Sequence, residues 1–309
     1  MITTVTLNTS VDKLYLVDRF VPETVMRVRQ VHNSAGGKGL NVTKVISLLG
    51  EPVTATGFIG GYSGQYIRSM LSRDGIRDDF VEVSGETRSC INILDAGSGK
   101  HTELLEPGQP VSAGDVARFI EKYREAVGRS TVVTISGSAP EGTSPDLYGE
   151  LVRLAKEKGC RVILDASGPR LLHGIEAGPT MIKPNRDEIQ YILGEKELSL
   201  SKLMHAIDSL QKKGIEVVAV SLGKEGVLVG EGGRFWKGTP PDLEAKNAVG
   251  CGDSMVAAFA VAFHRKMKTE DAVGFAVAVS AASALSWETG KLRPEDLEAV
   301  RPKVVVKQL

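Results

Sequence analysis

The sequence predicts an α/β fold: a mostly parallel central sheet covered on both faces, with a small second sheet beside it. Three observations predict this. Short β-rich runs alternate with helical patterns through most of the chain, as in parallel strands joined by helical crossovers. The C-terminal third switches to helix. Four short strand-like segments, drawn from two separate parts of the chain, break the alternation.

The β-branched runs at 3–7, 53–58, 132–135, 162–164, 180–182 and 217–221 read as strands. Helical patterns at 40–49, 64–74, 114–127, 145–158 and 200–213 lie between them. The late helices are expected at 252–266, 270–287 and 294–300. The exceptions, at 14–17, 28–33, 90–95 and 102–105, are separated by polar turns. We expect them to meet in a lid, spanning about 12–34 and 88–106, over the carboxyl edge of the main sheet. Ligands of open α/β sheets sit at that edge. The whole chain, 1–309, is expected to form one unit carrying this lid.

Bulk properties exclude several function classes. Lys plus Arg and Asp plus Glu both number 38, so no net charge draws the chain to nucleic acid or an anionic membrane. Three distant cysteines with no CxxC pair suit neither a disulfide framework nor a zinc knuckle. A reducing, cytoplasmic setting is the simple reading. The N-terminus, MITTVTLNTSVD, lacks the basic and apolar regions of a signal peptide. Residues 272–287 are apolar but interrupted by Ser280, Ser283 and Ser286, which suits a buried helix rather than a membrane span. Repeats and low-complexity tracts are absent.

Chemistry concentrates in five glycine-rich or polar turns. In GCGD, Gly250, Cys251, Gly252 and Asp253 precede nine residues, 255–263, that carry no polar side chain. A helix buried nearly all round, entered through glycines, offers free N–H groups and a partial positive charge to an anion. Alone, Asp253 reads equally as a simple helix cap. The dinucleotide fingerprint GxGxxG fails, because Met255 stands where glycine is required, and GxxxxGK[ST] is absent.

AGGKGLN places Gly37, Lys38 and Asn41 at a second helix start, either as a polar-ligand site or as a plain loop with a solvated lysine. IKPNRDEI brings Lys183, Asn185 and Glu188 together at a strand end. Taken alone they read first as a turn with acids in a helix's first turn, although their oxygens suit Mg²⁺. SLGKEG, with Ser221, Gly223 and Gly226, reads as a nucleotide-wrapping corner or a hairpin turn. SGSAP, with Ser138, allows close ligand approach or a tight turn.

Asp12 follows the first strand as a hydroxyl-binding carboxylate or a turn residue. Arg88, Arg27 and Arg29 beside the lid strands suit phosphate recognition or a solvated surface. The five histidines show no ligand spacing, and Cys251 has no nearby histidine to make it a nucleophile.

These motifs, in this order and over nearly the whole chain, resemble the phosphofructokinase B family of the ribokinase superfamily. The resemblance rests on TLNTSVD, AGGKGLN, IKPNRDEI and VGCGDSM. It implies a ribokinase-like αβα sandwich with a β-sheet lid that often helps form a homodimer. It implies transfer of the γ-phosphoryl of ATP to a sugar hydroxyl, with Mg²⁺.

By motif match Asp253 would be the catalytic base, and Gly250, Cys251 and Gly252 would present N–H groups to the transferring phosphoryl. Asp12, Gly37, Lys38 and Asn41 would hold the sugar. Arg88 and Ser138 would face the sugar's own phosphate, with Arg27 from the same or a partner lid. Asn185 and Glu188 match the family's N-x-x-E element, which organises Mg²⁺ and its waters. Lys183, Ser221, Gly223 and Gly226, with Asn185, would line the nucleotide site.

Cys251 departs from the Ala or Ser common in the family, and a thiol there is open to oxidation. AGGKGLNVTKV, GETRSCINIL, ISGSAP and DASG most resemble enzymes acting on tagatose 6-phosphate; those acting on fructose 1-phosphate share most of these features. A non-catalytic sugar-phosphate sensor has no need of the base or the N-x-x-E element. A nicotinamide oxidoreductase lacks its fingerprint here.

Overall fold

The computed structural model describes residues 1–195 and 198–309. The chain opens with β1 (Ile2–Thr6), β2 (Ser10–Val17), β3 (Gln30–Gly36), α1 (Lys38–Leu48), β4 (Val53–Gly60) and α2 (Gly61–Arg73). Short β5 (Arg77–Asp78) and β6 (Val81–Val83) lead to β7 (Arg88–Asp95), β8 (His101–Leu105) and α3 (Ala113–Val127). The alternation continues through β9 (Val132–Ser136), α4 (Leu147–Glu157), β10 (Arg161–Asp165), α5 (Gly168–Glu176), β11 (Met181–Ile182), α6 (Arg186–Leu193), α7 (Leu200–Gln211) and β12 (Val217–Ser221). Last come β13 (Val227–Glu231), β14 (Arg234–Thr239), α8 (Cys251–His264), α9 (Thr269–Ser283), α10 (Pro294–Val300) and β15 (Val305–Gln308).

The large sheet runs β15-β14-β13-β12-β11-β10-β9-β1-β4-β5, with β6 paired to β4. From β12 to β5 it is parallel. The β12-β13-β14-β15 edge is antiparallel. At the Gly223–Gly226 corner the chain takes the hairpin alternative and folds straight back on β12, so the mostly parallel sheet ends in an antiparallel edge.

Side chains alternate faces along each parallel strand. Val132, Ile163, Val217 and Ala219 pack under α1, α2, α8 and α9. Val133, Ile135, Val162, Leu164, Val218 and Val220 pack against α3 to α7. A fully buried Val, Leu or Phe contributes about 1.5–3 kcal/mol, so this double-faced core fixes the sheet.

Helix α8 is buried on every side from Asp253 to Ala262, and its alanines admit α1 and α9 at close range. Helix α9 stops at Ser283, four residues before the expected end. The backbone N–H groups of Lys246 and Asn247 donate to the Ala284 carbonyl at 2.8 and 3.2 Å, so the helix ladder ends there. The following segment turns across the mouth of the sheet.

The small sheet has the order β3-β2-β7-β8, with β2 and β7 parallel and the outer pairs antiparallel. Its strands begin earlier than the β-rich segments suggest, β2 at Ser10 and β7 at Arg88, because polar residues there face the cleft beneath.

Candidate active site

A cleft of about 1000 Å³ lies between the small sheet and the carboxyl edge of the large one. Two helices begin side by side on its floor. Gly37, at φ 97°, turns the chain into α1, and Gly250, at φ 82°, turns it into α8. Only glycine adopts this left-handed backbone without strain. A Cβ on Gly250 would also stand 2.4 Å from Thr289 Cγ2. Both helix N-termini line the cleft and carry N–H groups without helical partners, although the Cys251 N–H donates to the Ala248 carbonyl at 3.3 Å.

Asp253 sits in the first turn of α8, 5% exposed, and Asn41 Nδ2 donates to its Oδ2 at 2.9 Å. Burial pushes the Asp253 carboxyl up to about 6, with Asp165 adding to the rise and Lys38, Asn41 and Lys183 opposing it. The group is ionised at neutral pH, yet a better proton acceptor than an ordinary carboxylate.

Asp165, at the end of β10, is the acid that the motifs do not single out. Its carboxylate, 1% exposed, stands 3.3 Å from Lys183 Nζ and 3.6 Å from Lys38 Nζ. Burial raises its proton affinity, but the two ammonium groups outweigh this and hold it below the usual range. Asp165 in turn pushes the Lys38 ammonium up. Asp165 and the two lysines attract mainly through charge, and each ammonium keeps donors for a phosphate. The available signal was an acid closing an apolar strand, VILD.

Asp12 reaches the cleft from β2 and accepts from Ser10 Oγ at 2.6 Å. Burial raises its proton affinity, while Ser10, Lys44 and Arg88 lower it. Its carboxylate crosses Gly36, where a Cβ would lie 2.0 Å from Asp12 Cγ. Arg88 lines the cleft and donates to the carbonyls of Glu106 and Asn8 at 2.8 and 3.0 Å. Ser138 accepts from Asn8 Nδ2 at 3.2 Å, so Asn8 links it to Arg88, although Ser138 itself does not line the cleft.

At the other end, Lys183, Asn185, Ser221, Gly223 and Gly226 line one wall. A Cβ on Gly226 would lie 2.0 Å from the Gly238 carbonyl oxygen, so the tight corner requires glycine. Facing them are Pro240, Leu243, Val249, Val277 and Ala281, an apolar wall suited to a planar base that sequence reasoning missed. It missed them because the loop 240–249 carries no motif and the α9 residues read simply as core.

Asn185 and Glu188 form a reciprocal capping box at α6. Asn185 Oδ1 accepts from the Glu188 N–H at 2.8 Å, and Glu188 Oε2 accepts from the Asn185 N–H at 2.9 Å. Glu188 is close enough to act electrostatically on Lys38, but it does not line the cleft. Arg27 is not brought to the cleft either; it stands exposed on the loop between β2 and β3. Burial and Asp253 push the Cys251 thiol up to about 11, so it stays protonated at neutral pH. Among the described residues no cluster of three or more His, Cys, Asp or Glu side chains is placed to hold a metal, and no helix is long and apolar enough to cross a membrane.

Residues 5–296 match the pfkB family carbohydrate kinases. The chain belongs to this family. It is therefore a sugar kinase, and its mixed sheet with a separate small sheet is the ribokinase-like arrangement of pfkB structures. It is 38% identical over 309 residues to a tagatose-6-phosphate kinase of Staphylococcus epidermidis, covering 99% of each chain. Phosphofructokinase-2 of Escherichia coli, solved with potassium, superposes with a TM-score of 0.92 at 27% identity over 98% of each chain. A possible 1-phosphofructokinase of Thermotoga maritima superposes with a TM-score of 0.90 at 28% identity, covering 100% of this chain and 99% of that one.

Proposed function

We propose that this kinase phosphorylates a ketohexose phosphate with ATP, converting tagatose 6-phosphate to tagatose 1,6-bisphosphate. The observation that carries the reading is Asp253, buried and raised to about 6, at the N-terminus of α8 and tied to Asn41 of α1. The full-length relative that acts on tagatose 6-phosphate favours that sugar. Phosphorylation of fructose 1-phosphate is the second reading, favoured by the Thermotoga maritima neighbour.

ATP would supply the γ-phosphoryl group, and bound Mg²⁺ would supply charge neutralisation for the transfer. The chain's own residues fit both. Two lysines beside Asp165 and the α8 N-terminus offer cationic donors, and the apolar wall suits a base. With no cluster of metal ligands among the described residues, the cation would be held through phosphate and water, with Glu188 and Asn185 organising that water.

Asp253 takes the proton of the sugar's C1 hydroxyl as that oxygen bonds to the γ-phosphorus and the bond from phosphorus to the bridging oxygen of ADP breaks, releasing ADP. The proton transfer is an effect of about 10²–10⁴-fold. Gly250 and Gly252 direct backbone N–H groups at the transferring oxygens, while the Cys251 N–H already donates to the Ala248 carbonyl at 3.3 Å and adds only the helix-end dipole. Asp12, Gly37, Lys38 and Asn41 orient the sugar; Arg88 receives its existing phosphate, Ser138 stands behind it through Asn8, and Arg27, which does not reach this cleft, would have to come from a partner lid. Lys183, Ser221, Gly223 and Gly226 hold the nucleotide.

The lid, about 12–34 and 88–106, would also join two chains. Val31 and Leu104, both more than half exposed on it, give that interface an apolar surface.

The test is ADP release with ATP, Mg²⁺ and a panel of tagatose and fructose phosphates. Turnover fastest on tagatose 6-phosphate is expected. Turnover fastest on fructose 1-phosphate selects the second reading, and none on any member of the panel refutes both.

A further inference from the structure

Lys44 lies on α1 three residues after Asn41, on the same side of the helix. Its Nζ donates to the Ala35 carbonyl at 2.9 Å and to the Thr289 carbonyl at 3.1 Å. Ala35 is in the last turn of chain before the Gly37–Asn41 segment, at the base of lid strand β3. Thr289 belongs to the segment that crosses the mouth of the sheet after α9. One ammonium therefore bridges three separate pieces of chain.

The same pieces touch elsewhere. Asn247 Nδ2 donates to the Trp287 carbonyl at 3.0 Å, anchoring the crossing segment to the approach to α8. Gly290, at φ 71°, runs so close that a Cβ would lie 2.7 Å from Lys44 Cε and 3.2 Å from Asn41 Cα. At the rim His32 of β3 stands 3.0 Å from Glu288, which also pairs with Lys291 at 2.6 Å.

We propose that Lys44 is a positioning residue: it locks the base of the lid to the 287–290 segment and so fixes the sugar end of the cleft around Asp12 and Asn41. The inference rests on the kinase reading above and deepens it. The sugar end depends on this lock because Asp12, Gly37 and Asn41 flank Ala35 in space, whereas neither hydrogen bond of the Lys44 ammonium goes to the nucleotide wall at 221–226 and 240–249, which meets the 287–290 segment through Asn247 instead. Charge supports the placement. Burial draws the Lys44 ammonium down, while Asp12, Asp253 and Glu288 favour its charged form and Lys291 opposes it. Losing the ammonium orphans two carbonyls and leaves Asp12 short of a counter-charge.

The experiment compares wild type with Lys44→Met, Lys44→Arg and Gly290→Ala. Steady-state kinetics are measured on the ketohexose phosphate that wild type turns over, and amide hydrogen exchange is followed in the absence of substrate. Lys44→Met should raise the sugar-phosphate KM about 10–100-fold and leave the ATP KM within about twofold, the loss expected for two charge-assisted hydrogen bonds. Exchange should accelerate at 33–36 and 287–290 and stay unchanged in β9 and β10. Lys44→Arg, which keeps the charge, should recover part of the sugar KM. Gly290→Ala, which displaces Lys44, should reproduce the Lys44→Met pattern even if that variant does not fold. Equal changes in both KM values, or unchanged exchange at 33–36 and 287–290, overturn the proposal. A wild type inactive on every sugar phosphate sinks the functional reading instead, and the exchange data still judge the lock.

Discussion

Asn41 Nδ2 donates to Asp253 Oδ2 at 2.9 Å, although 212 residues of chain separate the two. The bond joins the first turns of α1 and α8, the two helices whose N-termini meet at the cleft. It occupies one oxygen of the carboxylate and fixes the plane of the group. Asn41 Oδ1 is buried without a protein partner and remains an acceptor for a substrate hydroxyl.

Replacing Asp253 with Asn should therefore separate chemistry from binding. The amide keeps the shape but cannot take a proton, so kcat should fall about 10²–10⁴-fold. Nucleotide affinity, measured by calorimetry, should change little. Turnover within a fewfold of wild type would remove Asp253 from its role.

The raised Asp253 value also sets a pH dependence. Activity requires the ionised form, so kcat/KM should decline as pH falls through about 6. The stability effect has the opposite sense. A folded-state value above the unfolded one stabilises the fold below about pH 4, and that gain is lost as pH rises through about 6. At neutral pH the buried carboxylate thus costs stability. Asp253→Asn should gain about 1–3 kcal/mol at pH 7.5 and nothing near pH 4, read by denaturant unfolding at both values.

Asp165 is expected to behave in the reverse way. It compensates two lysines, one of them, Lys183, 4% exposed. Asp165→Asn leaves both charges without a partner and should cost about 3–5 kcal/mol. Adding Lys183→Met to Asp165→Asn should restore part of that loss, because the buried charge goes with its partner. Equal stability of the single and double variants would mean that the ion pair does not hold the site together.

Much of this arrangement was legible in the sequence, and the exceptions have physical causes. The parallel strands and the start of α8 stood out because β-branched runs and an unbroken apolar helix leave strong periodic signals. The antiparallel edge was only half legible: the hairpin into β13 was one of two readings of Ser221–Gly226, while β14 and β15 were not assigned, β15 joining the edge from the distant C-terminal segment. The end of α9 was placed too late: the ladder tightens to i−3 bonds at Leu285 and Ser286, Ser286 Oγ accepts from the Glu288 N–H, and the Ala284 carbonyl accepts from the distant Lys246 and Asn247. Asp165 gains its importance only when Lys38 and Lys183 arrive from other parts of the chain. Asn185 and Glu188 were read both as a helix start and as metal organisers, and the observed capping box leaves those two readings compatible.

A test of that pair follows from its hydrogen bonds. Glu188→Gln keeps an acceptor for the Asn185 N–H and removes the charge. Thermal stability should hold, while the Mg²⁺ concentration for half-maximal rate should rise about tenfold, as for other groups that orient metal ligands. Asn185→Ala removes the cap and should cost about 1 kcal/mol. An unchanged Mg²⁺ requirement in Glu188→Gln would reduce Glu188 to a capping residue.

Gly36→Ala probes the sugar end without replacing any charged residue. Gly36 does not adopt the left-handed backbone, so alanine meets no torsional penalty there. The obstacle is steric: the new Cβ would stand 2.0 Å from both Cγ and Oδ1 of Asp12. Asp12 is short and cannot yield by a flexible tip, so its carboxylate must leave the cleft and give up Ser10 Oγ. Crowding of this kind costs about 1–3 kcal/mol of stability, which a thermal melt should register. The larger effect should fall on the sugar-phosphate KM, with the ATP KM near wild type, because the nucleotide wall lies at the far end of the cleft. If instead both KM values stay at their wild-type level, Asp12 has no part in holding the sugar.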